Sequence, residues 1–88
     1  MPIISQFYGI IIKIYFREGE RHHQEHIHVT YNENNAVYNI EGKILEGRLP
    51  NKQRKMVEAW IAIHEMELKA LWKEMRENGD YFKIEPLK

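Results

Sequence analysis

Hydrophobic and polar positions alternate with a period of two in the first half of the chain and recur with a period near 3.6 in the second. Residues 6–17 are dominated by β-branched and aromatic side chains and read as one strand. From residue 10 onward, Ile10, Ile12, Ile14 and Phe16 share one face, and Ile11, Lys13, Tyr15 and Arg17 the other. The first face is expected to meet the core, and Gly9 to mark a bulge or a close backbone approach. The polar stretch from Arg17 to Gln24 contains Gly19 and reads as a loop. A second strand runs from His26 to Tyr31, with Ile27, Val29 and Tyr31 opposite His26, His28 and Thr30. Asn32-Glu33-Asn34-Asn35 reads as a turn, residues 36–41 as a third strand and residues 44–46 as a short fourth after Gly42-Lys43. Connections this short imply antiparallel hairpins.

Gly47-Arg48-Leu49-Pro50-Asn51 punctuates the change to helix, with Asn51 as the expected N-cap. A capping box would need Glu or Gln where Arg54 stands, so none is assigned. Over residues 52–77, Val57, Ile61, His64, Leu68, Leu71 and Met75 recur at spacings of four and three, and Trp60 and Trp72 widen that stripe. A single helix over this span would be about 39 Å long at about 1.5 Å per residue. Either one end overhangs the sheet and meets a partner, or the helix breaks near His64-Glu65. Asn78-Gly79 is a helix stop, and Tyr81 to Glu85 reads as a final short strand before Pro86. The expectation is one α+β domain over residues 1–88: a small antiparallel sheet of three to four strands packed against a long C-terminal helix, either continuous or broken near His64.

Composition narrows the function classes. Eighty-eight residues support one core, and 43% hydrophobic with 30% charged residues is ordinary for a globular domain and argues against disorder. So small a core leaves a thin stability margin, which a protein partner or a second copy would widen. The absence of cysteine excludes a disulfide framework and a thiolate zinc site, and agrees with a cytoplasmic location. Lys and Arg equal Asp and Glu in number, 13 against 13, so a strongly basic nucleic-acid arm is excluded and any RNA contact must come from a local patch. The opening Met1-Pro2-Ile3-Ile4-Ser5 lacks the positive start of a secretory signal. No apolar run approaches the roughly 20 residues of a membrane span.

Among the chemistry-bearing residues, His26 and His28 come first. Two strand residues two apart lie on one face with Cα atoms about 6.6 Å apart, so their imidazoles can converge on one metal ion or one phosphate. His22 and His23 stand just upstream and could fold back to add a ligand. The plainer alternative is a solvated strand face of His26, His28 and Thr30. His64, on the apolar helix stripe, reads either as a core histidine or as a group facing the sheet to meet His26 or His28. His64-Glu65-Met66-Glu67-Leu68 is not a zincin motif, since Leu68 takes the second histidine's place. Arg48, Lys52, Arg54 and Lys55 cluster around the helix start, where the helix dipole disfavours cations, so they are either anion contacts or a solvated helix start. Tyr8, Tyr15, Tyr31 and Tyr38 interleave with the sheet's charges and either stack bases or pack. No Gly-rich phosphate loop, nucleophile elbow or Cys/His pair is present.

These residues together are recognisable. The opening Met1-Pro2-Ile3-Ile4-Ser5-Gln6-Phe7-Tyr8-Gly9-Ile10 resembles the start of a bacterial family catalogued as domain of unknown function 4160. His26-Ile27-His28-Val29 is similar to that family's His-Phe-His-Val run, and Leu45-Glu46-Gly47-Arg48-Leu49-Pro50 to its link into the helix. Glu58-Ala59-Trp60 with His64, Leu71-Trp72, and Ile84-Glu85-Pro86-Leu87 resemble its later landmarks. Where the family usually carries two prolines before the His-x-His, this chain has Gln24 and Glu25. The resemblance implies a toxin-like component of a type II toxin–antitoxin pair, held by a small antitoxin-like protein partner. An RNA-targeting toxin would use His26 and His28 as acid and base. Arg48, Lys52, Arg54 and Tyr8 would contact the substrate, His64 would orient a catalytic histidine, and no metal or cofactor would be needed. Two other functions stay open: a non-catalytic, antitoxin-like module that grips its partner through the long helix with Trp60 and Trp72, and a small metal-binding protein.

Overall fold

The computed structural model describes residues 2–14 and 25–88. Residues 15–17 of the first expected strand, the expected loop, and His22 and His23 lie outside the described residues. The elements are β1 (Ile3–Phe7), β2 (Ile10–Lys13), β3 (His26–Tyr31), β4 (Asn34–Asn39), β5 (Ile44–Gly47), α1 (Asn51–Ile63) and α2 (Glu65–Asn78). The strands form one sheet in the order β1-β2-β3-β4-β5, with every neighbouring pair antiparallel. The α+β class is as read from the sequence, but the sheet has five strands among the described residues.

The extra strand comes from Tyr8-Gly9. Tyr8 has φ 49° and Gly9 φ 81°, so the two form a tight turn, and Phe7 pairs directly with Ile10. A two-residue hairpin of this hand needs positive φ at both central positions; glycine supplies one freely, and here a tyrosine adopts the other. Where one strand was expected, residues 3–13 therefore form a hairpin, hidden by an aromatic residue where Asn or Asp is usual. The β3–β4 hairpin is plainer, turning at Asn32 (φ 52°) and Glu33.

Strand register separates two faces. Ile12 pairs with Val29 and Val29 with Ala36, while Ile27 pairs with Tyr38. These residues, with Ile4, Phe7, Ile10, Ile14 and Ile40, are buried in one cluster with Val57, Trp60, Ile61, Leu68, Leu71 and Trp72 of the helices. The helices thus cover one side of the sheet. Trp60 fixes α1 from two directions: its ring lies 5.8 Å from that of Phe7, and its Nε1 donates to Glu85 O at 2.8 Å.

The helix breaks at His64, whose φ of −110° and ψ of 21° leave the helical region. Hydrogen bonds close on both sides, from His64 N to Trp60 O and from Leu68 N to His64 O, so His64 ends α1 and opens α2, and the helix is broken there. At the start, Pro50 occupies the cap and Asn51 is the first helical residue, with no side-chain cap bond. Proline's fixed φ suits the entry, and its carbonyl accepts from Arg54 N at 2.8 Å. Gly79, at φ 72°, closes α2 as expected. The expected strand over residues 81–85 is absent: the tail makes one strand-like bond, Ile84 N to Ile4 O at 2.8 Å.

At Gly47 (φ 75°), a Cβ would stand 2.1 Å from Asn35 O. Backbone conformation and space both demand glycine there. Gly47→Ala is expected to lower unfolding free energy by at least about 2 kcal/mol, measured by urea denaturation; unchanged stability would contradict the close approach.

Tyr38 is fully buried, and its hydroxyl has no hydrogen-bond partner among the described residues. Burial pushes the phenol above its ordinary value of 10.0; Glu58 adds to the rise and Arg54 opposes it. A raised folded-state value favours the protonated phenol in the fold. The associated stability is full below the unfolded value and is lost as pH climbs through the folded one. Tyr38→Phe should therefore cost no more than about 1 kcal/mol at neutral pH and should flatten the decline in stability above pH 10. An equally steep decline in the variant would contradict this.

Candidate functional site

The alternation that buries Ile12, Val29 and Ala36 turns their neighbours to the opposite face. There, Lys13 pairs with His28, His28 with Val37, and Val37 with Glu46, in one row running across four strands. The next row holds Ile11, Thr30 and Asn35. The Thr30 hydroxyl donates to Asn35 Oδ1 at 3.2 Å. Lys13, His28, Thr30, Asn35, Val37 and Glu46 line an open cleft of about 390 Å³ on this face. An ammonium, an imidazole and a carboxylate thus share one shallow depression with two hydrogen-bonding side chains.

His26 stands behind His28. It is 1% exposed, and its ring lies 5.2 Å from that of His28 in an edge-on arrangement and 5.2 Å from that of Trp72. The His-x-His run thus sets one half-buried imidazole in the cleft wall, its Nε2 withdrawn from solvent, and packs the other against α2. His64 keeps different company: it stacks on Trp60 at 5.3 Å, and its Nδ1 is hydrogen-bonded to Glu67. Among the described residues no contact joins His64 to either strand histidine. No group of three or more His, Asp or Glu among them is placed to hold a metal ion.

The basic residues are dispersed. Arg48 is exposed just past β5, its backbone N–H donating to the carbonyl of Asn35, which places it beside the cleft. Lys52 and Arg54 lie on α1, in the layer covering the other face, and Arg54 is ion-paired with Glu58 at 3.0 Å. Tyr8 is 61% exposed at the β1–β2 turn. Trp60 and Trp72 are buried in the chain's own core, so neither is presented to a partner.

Two cleft residues were not singled out from the sequence, Lys13 and Glu46. Lys13 was legible as the one charge in an isoleucine strand, on the face opposite Ile12. Glu46 depends on the β4–β5 register, which shifts between Val37 and Tyr38; no local pattern encodes that shift.

A family profile described as Domain of unknown function (DUF4160) matches residues 9–73, most of the chain and all of the cleft. The chain belongs to the DUF4160 family. No curated protein and no solved structure gives a significant match to it. The profile spans the DUF4160 chain's sheet from the β1–β2 turn through β5, and the helices as far as Lys73. No helix among the described residues is long and apolar enough to cross a membrane.

The two strand histidines should separate by stability. His26→Ala empties a packed position under Trp72 and should cost about 2–4 kcal/mol. His28→Ala, on the open face, should cost about 1 kcal/mol or less. Equal losses in chemical denaturation would contradict the distinction between a packed and a presented histidine.

Proposed function

We propose that this DUF4160 chain is the toxin-like member of a bacterial type II toxin–antitoxin pair. In this reading it acts on RNA in the cytoplasm through the cleft on its open sheet face. The observation that carries the reading is the row Lys13–His28–Val37–Glu46, which supplies a cation, a proton donor and a carboxylate without requiring a metal.

The chemistry follows from those groups. Glu46 takes the proton from a ribose 2′-hydroxyl, and the 2′-oxygen attacks the adjacent phosphorus. His28, as imidazolium, gives its proton to the departing 5′-oxygen as the P–O5′ bond breaks, leaving a 2′,3′-cyclic phosphate. Lys13 faces the phosphate and offsets the charge that builds on its oxygens. At about 4.8 Å per strand, the backbones of His28 and Glu46 stand about 10 Å apart, with Val37 as an uncharged floor between them, and two side chains reaching inward leave room for one phosphodiester. Arg48, beside Asn35, meets a flanking phosphate. His26, packed against Trp72, acts through His28 by bracing the edge of its ring. His64 and the α1 cations Lys52 and Arg54 belong to the other layer and serve the fold. Binding of the antitoxin-like partner over this face would silence the site.

The test is expression of the chain alone in several bacterial hosts, together with turnover of a short RNA by purified protein in excess chelator. Wild type should arrest growth and produce cyclic-phosphate ends. His28→Ala and Glu46→Gln should lower turnover by about 100- to 10,000-fold and restore growth. Harmless wild-type expression in every host, or undiminished turnover by both variants, would overturn the proposal.

A further inference from the structure

The two edges of the sheet are not alike. β5 ends the sheet with Glu46, a register shift opposite β4, and Gly47 at φ 75°. A charge, an irregularity and a left-handed residue are the devices by which proteins keep foreign strands from pairing with an edge. β1, Ile3-Ile4-Ser5-Gln6-Phe7, also shifts register, between Ile3 and Ser5, but carries no charge and is regular from Ser5 to Phe7.

The β1 edge is only partly closed. Phe7 and Ile10 flank the two-residue turn and exchange their main-chain bonds inside the hairpin. By alternation Gln6 turns its N–H and C=O outward, and Ile4, at the register shift between Ile3 and Ser5, turns its C=O outward too. Ile4 O is taken by Ile84 N, while Gln6 is exposed. Beyond that bond the tail is drawn toward the helices, where Trp60 Nε1 holds Glu85 O. β1 and the tail therefore diverge and leave a wedge of about 490 Å³, lined by Ser5, Gln6, Lys83 and Glu85 among others. Ser5 is 6% exposed, and its buried hydroxyl has no hydrogen-bond partner among the described residues. A hydroxyl withdrawn from water without a partner is costly unless something else supplies one.

We propose that this wedge docks an extended segment of a second polypeptide, which joins the sheet edge at Gln6 and supplies the hydrogen bond that Ser5 lacks. The outward main-chain donor and acceptor select an extended peptide over a compact ligand. A second copy of the chain fits less well. It would bring an edge already half covered by its own tail, and the two copies would share only the bonds of Gln6 with its counterpart. A free segment can pair at Gln6 and run on into the wedge. The site lies at the far edge from the cleft's Glu46, and this inference does not depend on the cleft's chemistry.

The probe is a synthetic heptapeptide of alternating valine and threonine with a lysine at each end, added to the full chain and followed by amide-resolved NMR. Amides of Ser5, Gln6 and Ile84 should shift, and the Gln6 amide should gain protection from hydrogen exchange. Ser5→Ala should weaken binding several-fold. The same peptide N-methylated on the edge that faces β1 should bind at least about tenfold more weakly; because that change is made on the peptide, it leaves the fold intact. Equal affinity of the N-methylated peptide, no binding at all, or shifts confined to the cleft would overturn the proposal. So would concentration-dependent protection of Gln6 without peptide, seen with dimer formation by sedimentation, which would assign the edge to a second copy.

Discussion

A strand's side chains alternate, so the burial of Ile12, Val29 and Ala36 beneath the helices obliges Lys13, His28 and Val37 to stand on the opposite face. The core and the cleft are two readings of one register. A slip of one residue between β2 and β3 would expose Val29, bury a lysine and dissolve the row across the open face. The apolar surface gathered under α1 and α2 therefore does more than hold the fold. It makes such a slip costly, since each large aliphatic side chain brought out of its site costs on the order of 2 kcal/mol. The arrangement of side chains on the open face depends on residues that never touch it.

Aromatic contacts join the layers at two points. Phe7, Trp60 and His64 form one set, which seats α1 on the first hairpin and carries the chain through the break. His28, His26 and Trp72 form the other, leading from the cleft to α2. The break at His64 lets one apolar stripe, from Val57 to Leu71, follow a short twisted sheet that a straight helix would overrun. The C-terminal tail, pinned through Ile84 and Glu85, finishes the packing at the β1 edge without becoming a strand.

Much of this was legible in the sequence, for reasons that can be named. Ile10, Ile12 and Ile14 announced the buried face of β2 because a half-buried strand writes its period directly. The helix stripe and the stop at Gly79 were equally plain, and the excess length of the helix left two outcomes, an overhang or a break near His64-Glu65, of which the second is found. The β1–β2 turn was not legible, because Tyr8 accepts a left-handed conformation usually given to Asn or Gly. The cleft was half legible. His28 stood out as part of a His-x-His run, but that run said nothing of which imidazole is packed and which presented; Trp72, 44 positions beyond His28, decides it. Glu46 joins the site only through a register shift in the sheet's last pairing. Basic residues near one another in sequence, Arg48 against Lys52 and Arg54, were parted by the turn from strand to helix.

The central claim is that RNA meets the open face of the sheet rather than the helix layer. Amide-resolved NMR during titration of the full chain with a short single-stranded RNA tests it most directly, with a 2′-O-methyl group at each ribose to block cleavage and keep the ligand intact. The account predicts shifts gathered at Lys13, His28, Thr30, Asn35 and Glu46, weakening with added salt. Shifts centred on Lys52, Lys55 and the first turns of α1, or no shifts at low salt, would contradict it.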